Sequence, residues 1–132
     1  MLVLSAPIFA GSYPARAQPP DPVTAGLNRC LDGPEGSTTS GQLNCIGKAE
    51  QSWDARLNQV YGTLMRTLDP ASRAQLQAAQ RAWLDYRKKD ADFASGPWRA
   101  QTGTLAQVLI GRGRLDEMAA RVETLETYAR GD

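Results

Sequence analysis

Asp54-Ala55-Arg56-Leu57-Asn58-Gln59-Val60-Tyr61 and Ala79-Gln80-Arg81-Ala82-Trp83-Leu84-Asp85-Tyr86-Arg87 are the stretches whose periodicity decides the fold. In the first, Leu57 and Tyr61 open a series continued by Leu64 and Leu68, spaced four, three and four residues apart. In the second, Leu76, Gln80, Trp83, Arg87 and Asp90 alternate steps of four and three. Residues three and four apart share one face of a helix. Both stripes mix aromatic and apolar side chains with Asn, Gln, Arg and Asp. They predict two helices that face each other through a core containing hydrogen bonds.

Working outward, the first long helix is expected over 43–68, with Ile46, Trp53, Leu57, Val60, Tyr61, Leu64 and Leu68 facing inward. Asp69-Pro70 ends it and starts the next, because Asp is a good N-cap and Pro fits the first turn without losing a bond. A link this tight makes the two helices antiparallel neighbours. The second helix is expected over 70–94, stopped by Ser95-Gly96-Pro97. A third is expected over 104–128, with Leu105, Val108, Leu109, Leu115, Met118, Val122 and Leu125 as its stripe. Gly111 and Gly113 fall inside it, and each costs up to about 1 kcal/mol relative to Ala, so a bend or interruption is expected there. Residues 18–23 carry three prolines and read as a linker; 24–30 read as a short helical turn and 31–41 as a loop. No stretch alternates as a strand does. The fold class is all-α: a compact bundle of three main helices with a disulfide-stapled N-terminal segment.

The first seventeen residues are apolar and end in Ala15-Arg16-Ala17, the small-x-small form of a cleavage site. They read as a signal peptide without a basic start, too short and proline-broken to span a membrane. The expected location is the periplasm or the exterior. The two cysteines, Cys30 and Cys45, are an even pair in an exported chain and are expected to form a disulfide. Lys and Arg number 15 and Asp and Glu 14. Removing Arg16 with the leader leaves 14 of each and no net charge. A nucleic-acid binder would show a basic face, and an anionic membrane would select one too.

The ordered set Cys30, Cys45, Asp54, Leu57, Asn58, Tyr61, Gln80, Trp83, Tyr86, Arg87, Gly103, Thr104 and Arg121 resembles the pattern of the lysozyme-inhibitor LprI-like family. That pattern reads Cys, Cys, Asp-x-x-Leu-Asn-x-x-Tyr, Gln-x-x-Trp-x-x-Tyr-Arg, a Gly-Thr step and a late Arg. The resemblance covers 30–128. With the leader over 1–17 and the linker and short helical turn over 18–29, it leaves an LprI-like helical domain over 30–130. It implies a small helical protein of the bacterial envelope, with lysozyme as the partner in some relatives and steric occlusion of the enzyme cleft as the mechanism. Relatives often carry a second cysteine pair where this chain has Ala91 and Gly113, so those two residues are expected to lie close together.

Catalytic chemistry finds no support. The chain has no histidine, no Gly-x-Ser-x-Gly elbow, no phosphate loop and no paired-cysteine redox motif. No metal site or cofactor is expected, since two cysteines do not fill a zinc site. Asp54, Asn58, Gln80, Arg87 and Arg121 form the candidate polar network. It reads either as a structural clasp, with Asp54 buried against Arg87 or Arg121, or as a ligand-facing pocket. Trp98 and Arg99 follow Gly96-Pro97 in a loop and read either as an interface anchor or as a lid folded back on the bundle. Beside the inhibitor reading stand an immunity-like protein binding another envelope protein and a structural periplasmic domain. The sequence leaves oligomeric state open.

Overall fold

The computed structural model describes residues 18–99 and 103–131, and within them four α-helices. They are α1 (Pro22–Asp32), α2 (Thr39–Thr67), α3 (Pro70–Ala94) and α4 (Gly103–Arg130), with short 3-10 turns at Pro34–Ser37 and Pro97–Arg99. The expected leader lies outside the described residues. No helix among them is long and apolar enough to cross a membrane.

The helix starts are set by side chains that accept otherwise unpaired backbone N–H groups. Asp21 caps α1 by accepting from the Val23 N–H at 2.9 Å, with Pro22 in the first turn. Thr38 caps α2 by accepting from the Gly41 N–H at 3.0 Å. Asp69 caps α3, accepting from both the N–H and the hydroxyl of Ser72. The second and third expected helices lie where the periodicity put them.

Three expectations about the backbone change. The end of the expected linker, the helical turn and the first two residues of the expected loop form a continuous eleven-residue helix, α1, because Asp21-Pro22 is a helix start of the same kind as Asp69-Pro70. The expected loop is a packed turn: Gln42 Nε2 donates to the Gly36 carbonyl at 2.9 Å, and Lys48 pairs with Glu35 at 2.9 Å. Glycine is required there, since a Cβ on Gly41 would lie 1.7 Å from the Glu35 carbonyl oxygen. Finally, α4 runs unbroken through Gly111 and Gly113. A Cβ on Gly111 would meet Ile46 of α2 at 3.2 Å, so that glycine permits close approach of the two helices.

The core belongs to α2 and α4. Ile46, Ala49, Trp53, Leu57, Val60 and Leu64 face Val108, Leu115, Met118, Val122 and Leu125, with Val122 and Leu125 wholly enclosed. Both rows step by threes and fours, the pattern of helices packed side by side. α1 covers one flank, tied to α2 by the Cys30–Cys45 disulfide with Cα atoms 5.7 Å apart. Leu105 and Leu109, expected inside, are mostly exposed. They lie in the first two turns of α4, and periodicity alone cannot say which turns of a stripe a neighbouring element covers.

Arg56 locks three helices. Its Nε and Nη2 donate to the two carboxylate oxygens of Glu126 at 2.6 and 2.9 Å, its Nη1 donates to Asp21, and its guanidinium lies 5.1 Å from the Trp53 ring centroid. Burial opposes ionisation of Asp21, but the bonds from Arg56 and from the backbone at Val23 and Thr24 outweigh it and hold the carboxyl below its ordinary value. A carboxyl with a depressed folded pKa stabilises above its ordinary pKa and loses that contribution as pH falls through the folded value. The melting temperature of the wild type is therefore expected to fall more steeply below pH ~4 than that of Asp21→Asn, which keeps the cap and removes the charge. Parallel pH–melting curves would refute this role. Reducing the disulfide is expected to cost about 3 kcal/mol in denaturant titrations, and without reductant intact mass should show no alkylated thiol.

Candidate functional site

α3 approaches neither α2 nor α4 as closely as those two approach each other. Its buried residues are both polar, Gln80 and Arg87. They reach across the gap with Trp83 between them in sequence. Arg121 Nε donates to Gln80 Oε1 at 2.9 Å. Arg87 Nη2 donates to the Arg114 carbonyl at 3.4 Å, and its Nε lies 3.6 Å from Glu117. The Arg87 and Arg121 guanidinium carbons lie 4.9 and 5.8 Å from the Trp83 ring centroid. Buried Arg121 Nη2 has no hydrogen-bond partner, so the π-face of Trp83 is what its charge meets on that side. A Cβ on Gly113 would meet nothing within 4 Å, so Ala91 does not touch the position expected to face it.

The candidate network therefore divides. Gln80, Arg87 and Arg121 meet through Trp83. Asp54 and Asn58 do not join them. Both are exposed, and Asn58 Nδ2 donates to Asp54 at 3.4 Å within the same helix. The expected Asp54–arginine pair is replaced by Arg87 with Glu117 and by Arg56 with Asp21 and Glu126. The reason is angular: Trp53 and Leu57 take the buried side of α2, and Asp54, one residue on, is rotated about 100° away. Asp54 and Asn58 line instead an open cleft of about 350 Å³ between α2 and α3. Sequence reasoning missed Arg56, although it lies three residues after Trp53 and so borders the same stripe.

Trp98 and Arg99 sit at the corner after α3. Trp98 stacks on Phe93 with centroids 5.0 Å apart and planes at 22°, and its indole N–H donates to the Phe93 carbonyl. Arg99 lies 4.6 Å from the Trp98 centroid. Phe93 is 63% exposed and Trp98 57%, so the stack is a projecting ridge rather than a lid over the core. Beside it is a hollow of about 360 Å³ bordered by Ser95, Thr104, Gln107 and Ile110. The grouping of Cys30, Glu35 and Cys45 has its sulfurs committed to the disulfide.

The model of the family described as lysozyme inhibitor LprI matches residues 18–125. This chain belongs to the LprI family. The matched span takes in α1, so that helix is part of the LprI domain. The family is one of inhibitors rather than catalysts. No curated protein gives a significant match. The crystal structure of an uncharacterized protein from Burkholderia thailandensis is similar, with a TM-score of 0.75 and 28% identity. The likeness covers 84% of this chain and 54% of that protein, so this LprI chain spans about half its length.

Arg121→Ala is expected to destabilise by about 1–3 kcal/mol, because it leaves the buried Gln80 carboxamide without its donor. Arg87→Ala should cost about 2–3 kcal/mol, below the usual 3–5 for a broken buried pair, since Glu117 can be rehydrated. Asp54→Ala should stay within about 0.5 kcal/mol of wild type. Chemical denaturation of the three variants checks this order. A strongly destabilised Asp54→Ala would return that residue to the core.

Proposed function

We propose that this protein is an exported inhibitor that binds lysozyme and occludes its cleft, with the Phe93–Trp98–Arg99 corner as the inserted element. The family match carries the choice of partner class. The choice of surface is supported by the one exposed aromatic stack found among the described residues. Aromatic and arginine side chains dominate the energetics of protein interfaces, because they bury large area at low entropic cost. Trp98 is held by Phe93 behind it and by its own N–H bond, so little ordering remains to be done on binding.

Glycosidases of this kind cleave between two carboxyl groups that flank the scissile bond. A guanidinium matches a carboxylate with two parallel N–H donors. Arg99 is delivered on the face of Trp98, so entry of the ring brings the cation to the carboxylates. Occlusion requires no chemistry from the inhibitor, consistent with a chain without histidine. The expected leader and the disulfide suit an oxidising exterior compartment.

A turbidity assay of lysozyme on cell walls tests this. Wild type is expected to slow clearing in a dose-dependent way. Trp98→Ala should weaken inhibition about 30-fold, the equivalent of a 2 kcal/mol hot spot, with the melting temperature unchanged. No inhibition by the folded wild type would overturn the partner and favour another envelope protein. Full inhibition by Trp98→Ala would move the surface elsewhere.

A further inference from the structure

We propose that the cleft between α2 and α3 binds a short zwitterionic peptide, with Asp54 at its amino end, Arg81 at its carboxylate end and the Gln80 carboxamide at its backbone. The site lies away from the Trp98 corner and does not depend on the inhibitor reading.

The cleft exists because α3 is held off by long side chains. Its volume of about 350 Å³ falls in the range of small-molecule sites. Leu57 and Tyr61 from α2 and Leu84 from α3 give it apolar walls. The charges stand on opposite walls. Asp54 takes a single long bond from Asn58, which orients its carboxylate without neutralising it. Arg81 has no ion pair or hydrogen bond among the described residues. Its helical neighbour Asp85 is taken by Lys89 at 2.8 Å. A cation-seeking group and an anion-seeking group thus face one hollow, each without an opposite charge paired to it among the described residues.

Gln80 adds a polar group to the same wall as Arg81. It is 92% buried, being 8% exposed, and lines the cleft. Its oxygen accepts from Arg121, which fixes the amide orientation and leaves the NH2 group as the free end. That group has no partner among the described residues. The enclosed side-chain atoms without a hydrogen-bond partner among the described residues are all arginine nitrogens, so the Gln80 NH2 end is open to the cleft. An acceptor entering the cleft, such as a peptide carbonyl, takes the place of solvent on it. Exposed Gln77, one turn away on α3, extends the amide row along the same wall. A ligand with an ammonium at one end, a carboxylate at the other, amides between and small apolar side chains matches every group in the cleft.

The test is an NMR titration of the full chain with trialanine. Saturable shifts are expected at Asp54, Asn58, Gln77, Arg81 and the Gln80 side-chain amide. N-acetyl-trialanine amide, which lacks both charges, should bind at least tenfold more weakly. Asp54→Asn and Arg81→Gln should each weaken trialanine binding at least tenfold while keeping wild-type circular dichroism, since both side chains are exposed. Gln80→Leu should weaken the blocked and unblocked peptides alike. Absence of saturable shifts, equal affinity for the blocked peptide, or undiminished binding by both charge variants would overturn the proposal.

Discussion

The attachment of α3 rests on Trp83 and the two guanidinium groups that lie over it. A helix that buries no fully enclosed apolar residue cannot be held by the hydrophobic effect alone. Cation–π contacts and charge-assisted hydrogen bonds take that part, and they are strongest where water is excluded. Long side chains bridge a wider gap than leucines do. The α2–α3 spacing, the cleft it opens and the projection of the corner beyond Ala94 all follow from this one choice of residues.

The rest of the molecule is arranged around a conventional pair, α2 and α4, whose core rows interlock along most of their length. α1 is too short to contribute a fully buried residue. It is held by two devices at its ends: the disulfide from Cys30 and the ion pair from its cap, Asp21, to Arg56. The covalent tie limits the unfolded chain, and the ionic tie fixes the folded one. Arg56 reaches α4 as well, so the same guanidinium closes the bundle at the end opposite the Trp98 corner.

This division of labour gives the protein a rigid half and a more open half. The stacked Phe93–Trp98 pair belongs to the open half and lies outside the core. The cleft between α2 and α3 is a separate feature, built on exposed charges whose loss leaves the core untouched.

The sequence by itself determined the all-α class, the Cys30–Cys45 bridge, the α2–α3 turn at Asp69-Pro70 and the inward face of α3. Periodicity and capping are local, so Gln80, Trp83 and Arg87 could be placed together from spacing alone. The start of α1 carries a cap and a proline at Asp21-Pro22, but the neighbouring prolines made the segment read as a linker. Only the tertiary structure decided which charges meet. Arg87 chose Glu117, Arg121 chose Gln80 and Arg56 took Asp21 and Glu126, while Asp54 was left facing the cleft. A rotation of one residue, about 100° on a helix, separates a buried position from an exposed one, and residues on the edge of a stripe are assigned by the neighbour that arrives there. The same holds for Leu105 and Leu109, apolar by sequence and exposed because spacing does not say which turns of α4 a neighbour covers.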